Sequence, residues 1–136
     1  MPAASLQRSD EYPVVEKAWG LEYVLYNGPA PYCLKVLAIN PDWQCSLHKH
    51  LAKAETFLCA EGGVVVEYQD GETAAGSPII TTTTLHVGDS LHVPAGALHR
   101  FWSALPGSPG LLLEASTHHD DEDVVRVETS RKREAL

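Results

Sequence analysis

Cysteine is scarce in this chain and poorly spaced for pairing. Its 136 residues hold three, Cys33, Cys45 and Cys59, an odd number without C-x-x-C spacing. That argues against a disulfide framework and against a paired-cysteine zinc or redox motif. Three reduced, mostly buried thiols are expected, which fits a cytoplasmic protein. Long apolar runs are also missing: none approaches the ~18 residues that span a bilayer, and residues 1–10 hold no signal-peptide hydrophobic stretch, so no membrane partner is expected. Positive charge is short as well. Ten Lys and Arg face eighteen Asp and Glu, a formal net charge of −8, and such a surface repels a phosphate backbone, so no nucleic-acid partner is expected. No internal repeat or phosphate-cradling glycine loop is present, and Glu61-Gly62-Gly63 reads as a hairpin turn.

Helix signals are thin, whereas strand signals are dense. Val36–Ile39, Thr56–Cys59, Val64–Tyr68, Ile79–Val87, Ser90–Val93, Arg100–Trp102 and Leu111–Ala115 are short β-rich runs. Turn residues separate them at Asn40-Pro41-Asp42, Gly62-Gly63, Asp70-Gly71, Gly88-Asp89, Pro94-Ala95-Gly96 and Pro106 to Gly110. Many short strands at this spacing predict an all-β sandwich or barrel in one domain. The polar stretch 70–78 reads as the loop between the two halves of the barrel. Residues 1–12 read as an N-terminal arm, 13–127 as the folded domain, and 128–136 as a basic, solvated C-terminal tail.

The residues that carry chemistry fall in two segments. On a strand, residues i and i+2 share a face, so His48 and His50 aim their imidazoles at one volume. Glu55 needs a short turn or bulge to return there, and His99 adds a further nitrogen after the Pro94-Ala95-Gly96 turn. Three imidazoles and a carboxylate suit one divalent transition metal: Zn, Mn, Fe, Co or Ni.

These segments resemble the cupin superfamily. Its first motif, G-x5-H-x-H-x(3,4)-E-x6-G, is matched from His48 to Gly62, with Asp42 in place of the opening glycine. The second, G-x5-P-x-G-x2-H-x3-N, is matched from Gly88 to His99, with Ser103 in place of the closing asparagine. The resemblance implies a double-stranded β-helix, the jelly-roll barrel, with His48, His50, Glu55 and His99 holding the metal inside. A narrower similarity adds to this. Glu16 to Tyr23, Ser46 to Glu55, Val93 to Arg100 and Glu114 to Arg126 look like segments of the cupin domain in type II mannose-6-phosphate isomerases. The D-lyxose isomerase-like sugar isomerases offer a close second comparison.

That similarity implies an aldose–ketose isomerase acting on a sugar or sugar phosphate, in which the metal chelates a hydroxyl–carbonyl pair and stabilises an enediolate. Glu114, at the end of a strand and in phase with Leu112, is the expected base, and a buried position would raise its pKa. Lys53 stands where the resembled enzymes carry arginine and is the second expected catalytic residue. Arg100 is expected to pair with an acid outside the barrel, and Arg126 to tie down the C-terminal segment through a salt bridge. His118 and His119 read as loop residues that could close over the barrel mouth, Lys35 as an edge-strand charge, and His86 and His92 as outer-face histidines. Phe57 and Phe101, each two residues from an expected ligand, should line the pocket. The expected partners are a small carbohydrate substrate and a second copy in a homodimer. An iron-dependent dioxygenase and a non-catalytic carbohydrate-binding domain remain open on the same ligand set.

Overall fold

The computed structural model describes residues 2–134, and among them no helix forms. Accordingly, no helix is long and apolar enough to cross a membrane. Thirteen strands make up the described chain: β1 (Val14–Lys17), β2 (Gly20–Tyr26), β3 (Cys33–Ile39), β4 (Trp43–Gln44), β5 (Leu47–Lys49), β6 (Glu55–Glu61), β7 (Val64–Glu72), β8 (Pro78–Leu85), β9 (Ser90–Val93), β10 (His99–Ser103), β11 (Gly110–Ser116), β12 (Val125–Glu128) and β13 (Arg131–Lys132). One sheet runs β1-β2-β3-β11-β6-β9. The other runs β12-β5-β10-β4-β13, with β7 on the second edge of β10 and β8 on β7. Every pairing is antiparallel. This is the all-β jelly-roll barrel that the sequence predicts.

Alternation along the strands decides what lies between the sheets. β3 buries Cys33, Lys35, Leu37 and Ile39, β11 buries Gly110, Leu112 and Glu114, and β6 buries Glu55, Phe57 and Cys59. Register then sorts these side chains into layers. Leu112 lies opposite Leu37 on one side and Cys59 on the other. Two residues along, Glu114 lies opposite Lys35 and Phe57. One half of the barrel is therefore apolar, completed by Val64, Val66 and Leu85, and the other half is lined with charge. Aromatic rings mark the boundary. Trp19 meets Phe101 edge-on at 5.0 Å and Phe57 meets Phe101 at 6.0 Å, contacts worth ~0.5–1.5 kcal/mol each beyond their buried area.

Both departures from the expected motif have a physical account. Asp42 adopts φ 64°, the left-handed conformation that a glycine usually supplies. Its carboxylate accepts the Gly107 N–H at 3.0 Å, which compensates locally for the strain. Ser103 Oγ donates into the 104–109 loop at the carbonyls of Leu105 and Ser108. Glycine cannot be replaced at position 20, where an added Cβ would sit 1.9 Å from the Ala38 carbonyl oxygen.

Three readings are corrected. β7 runs through Asp70-Gly71-Glu72, so the connection to β8 is shorter than 70–78. Lys35 is not an edge charge: β3 is an internal strand between β2 and β11, and Lys35 points inward. Residues 128–134 are not a free tail. β13 pairs with β4, the Arg133 guanidinium lies 3.9 Å over the Trp102 ring, and its Nη1 donates to Gln44 Oε1 at 2.8 Å. Residues 135 and 136 fall outside the described residues. We predict that Gly20→Ala lowers the urea unfolding free energy by more than ~2 kcal/mol, whereas Asp42→Gly, which relieves strain and loses one hydrogen bond, stays within ~1 kcal/mol of the parent.

Candidate functional site

The charged half of the barrel opens into a cavity of about 390 Å³. His48 on β5 and His99 on β10 are cross-strand partners, and His50 follows β5 on the same face as His48. Their ligating nitrogens all lie within 4.8 Å of one another. Each ring is oriented by a backbone carbonyl. Nδ1–H of His48 donates to Ser46 O at 2.7 Å, that of His50 to Asp123 O at 2.5 Å, and that of His99 to Ala97 O at 3.0 Å. All three Nε2 atoms are thereby left unprotonated and available, the arrangement that metal-ligating histidines require. Burial, followed by the neighbouring rings, lowers the His48 pKa to about 3. Burial and the Lys53 charge lower that of His50.

Glu55 adjoins this group from β6. Its Oε1 lies 2.7 Å from His99 Nε2 and 3.6 Å from His50 Nε2. The short contact is not a satisfied hydrogen bond: Glu55 Oε1 and His99 Nε2 are both buried without a hydrogen-bond partner. With the His99 proton on Nδ1, a carboxylate lone pair faces an imidazole lone pair at a buried position, which is costly unless a cation is shared by the two. The donor set therefore fits a divalent transition metal, with His48, His50, His99 and Glu55 as the residues able to hold it. The four-residue expectation has a tight part and an adjoining part, because the mutual 4.8 Å group comprises the three imidazoles.

Behind the imidazoles lies a chain of buried charges. Lys53 Nζ is 3.4 Å from Glu55 Oε2, 3.5 Å from Glu114 Oε2 and 3.1 Å from His119 Nδ1. Burial opposes the Lys53 charge, but Glu114 and Glu55 outweigh it and raise the pKa, so the ammonium persists. Burial also works against the Glu55 carboxylate, yet Glu114 and the Lys53 charge hold its pKa well below the usual range. Glu114 goes the other way: burial, then the charge of Glu55, lifts its pKa to about 8 against the pull of Lys53. Two carboxylates in one cavity thus differ in protonation because their partners differ. His119 Nε2 donates to Asp121 Oδ1 at 2.8 Å, which leaves Nδ1 to accept from Lys53.

The other candidates separate clearly. Phe57 and Phe101 line the cavity. Arg100 points away from it and pairs with Glu67 at 2.7 Å and Glu128 at 2.9 Å. His118, His86 and His92 are exposed. Arg126 corrects the expectation of a salt bridge: it makes none among the described residues, lies opposite His48 in register and lines the cavity mouth. Cys45 also lines the cavity, but burial pushes its thiol up to about 12 and its Sγ accepts the Phe101 N–H, so it offers no thiolate.

Sequence reading missed Asp123. Its carboxylate accepts the backbone N–H groups of Leu51, Ala52 and Lys53 at 2.8–3.1 Å, and its carbonyl orients His50. The signal available was an acidic residue followed by the short β-run Val124-Val125; its target, far back in the sequence, had none. Glu22 was missed as well, although Leu21 to Tyr26 is rich in β-formers.

Three comparisons bear on the site. The family model described as Cupin domain matches residues 35–116. The mannose-1-phosphate guanylyltransferase of Sinorhizobium fredii (strain NBRC 101917 / NGR234) is 26% identical over 129 residues, covering 90% of this chain and 22% of that protein. The D-lyxose/D-mannose isomerase of Thermosediminibacter oceani is 29% identical over 132 residues, covering 84% of this chain and 71% of that protein. Among solved structures, an oxalate decarboxylase of Bacillus subtilis whose Mn(II) centres were studied shares the fold with a TM-score of 0.68 at 18% identity, over 87% of this chain and 30% of that one. This chain thus spans about a fifth of the guanylyltransferase.

Asp123→Ala removes the carboxylate that gathers three N–H groups while leaving the carbonyl in place. The expected outcome is ~10–100-fold weaker cobalt(II) binding, read from the visible absorption of the ion, with faster amide exchange at residues 51–53.

Proposed function

The chain belongs to the cupin family, and on that premise we propose that it is a metal-dependent sugar or sugar-phosphate aldose–ketose isomerase. The observation that carries this reading is the buried Glu114–Lys53–Glu55 array set directly beside three imidazoles whose Nε2 atoms converge. Isomerisation moves one proton between adjacent carbons and another between their oxygens. It therefore needs a carbon base and an acid that can reach both oxygens.

His48, His50, His99 and Glu55 are the residues that would hold a divalent cation, which when bound would polarise a carbonyl and its neighbouring hydroxyl. As a carboxylate, Glu114 removes the C2 proton and returns it to C1. The Lys53 ammonium donates to the carbonyl oxygen as negative charge develops there and recovers a proton from the adjacent hydroxyl, so the protein ends in its starting state. The Asp121–His119 pair holds Lys53 in place, since neutral His119 accepts one of the three ammonium N–H bonds. Phe57 and Phe101 make the floor apolar, which limits water at the reacting carbons. The isomerase of T. oceani, aligned over most of this chain, is in keeping with this chemistry.

The test is a screen of aldoses and ketoses, free and phosphorylated, with metal-reconstituted protein in heavy water, reading deuterium at C2 of the recovered aldose. Glu114→Gln is expected to lower kcat by ~10²–10⁴-fold while bound metal per chain stays unchanged. The same imidazole group can also hold iron. Oxygen uptake that requires iron and is not supported by zinc, with no sugar turned over, would replace this reading with an oxygen-activating one.

A further inference from the structure

Lys35 is a buried charge that the proposed reaction leaves unused. Its side chain is 4% exposed, and its one ion contact among the described residues is Glu22 Oε2 at 3.5 Å. An ammonium has three donors to satisfy, and a buried one with a single long contact keeps donors directed into open space. Here that space is the cavity, which Lys35 and Glu22 both line.

Register places the pair relative to the reacting groups. Lys35 lies opposite Glu114 across β3 and β11, and β2, which carries Glu22, is the next strand outward. The pair therefore stands one to two strand spacings, ~5–10 Å, from Glu114. Charge then limits what can occupy it. Lys35 is compensated by Glu22, and Lys53 by Glu55 and Glu114. An anion at this wall would meet the Glu22 carboxylate, whereas neighbouring hydroxyls find one donor and one acceptor side by side. Lys17 and Arg126 also line the cavity, but they are exposed at its mouth.

We propose that Lys35 and Glu22 form a second subsite that reads adjacent hydroxyls of a free, unphosphorylated sugar at the end away from its carbonyl. Lys35 Nζ donates to one hydroxyl oxygen, and the Glu22 carboxylate accepts from the next. This subsite rests on the isomerase reading and assigns its substrate class.

Calorimetry on the metal-loaded full chain, with D-mannose, D-lyxose and mannose-6-phosphate as probes, tests it. The free sugars are expected to bind at least about tenfold tighter than the phosphate ester, and Lys35→Met to weaken them by about tenfold or more with cobalt(II) affinity unchanged. Glu22→Gln uncovers the ammonium while keeping an acceptor, so preference should move by about tenfold toward the phosphate ester. That shift in selectivity is one that mere loss of packing does not produce, and it decides the matter if Lys35→Met does not fold. Sugar binding indifferent to both substitutions, or a wild-type preference for the phosphate ester, overturns the subsite alone. Failure of the wild-type chain to bind any of the three overturns the isomerase reading together with it.

Discussion

The Lys53 ammonium is what allows two buried carboxylates to occupy one cavity. Glu55 and Glu114 are 2% and 5% exposed, and placing both there unpaired would cost several kcal/mol per charge. With Lys53 between them, one remains a carboxylate facing the imidazoles and the other is tuned toward neutrality. His119 and Asp121 extend the array outward. Removing Lys53 would leave Glu55 and Glu114 side by side without the cation they share, so this part of the cavity behaves as a single unit.

The fold supports that unit by segregation. Strand alternation sends Leu37 and Ile39 inward on the same strand as Lys35, and Leu112 inward on the same strand as Glu114. Apolar layers at one end hold the sheets together, and this allows polar layers at the other end that would not cohere alone. Trp19, Phe57 and Phe101 lie where the two regimes meet, close enough to the imidazoles that Phe57 is 5.8 Å from His99, ring to ring.

How much of this the sequence displays depends on distance along the chain. The His48-x-His50 spacing, Glu55 and His99 are legible because strand periodicity and short turns dictate their directions. The inward phase of Glu114 follows from Leu112 in the same way. Lys35 was misread because a charge within a β-run usually marks an exposed face, and what overrides that rule is Glu22 on a neighbouring strand. Asp123 and Arg126 were misjudged for a related reason. Acidic and basic residues near a terminus resemble a solvated end, and their partners at positions 48–53 become neighbours only when β12 docks on β5.

That docking ties the order of assembly to the order of synthesis. The three imidazoles, Glu55, Lys53 and Glu114 all precede residue 115, so a nascent chain can carry every expected reactive side chain before position 123 emerges. Until it does, the loop bearing His50 and Lys53 has no carboxylate to gather its N–H groups and no carbonyl to turn the His50 ring. The segment around Asp123 thus acts as a keystone: the reactive side chains lie upstream of it and become a site when it closes over the loop that bears His50 and Lys53.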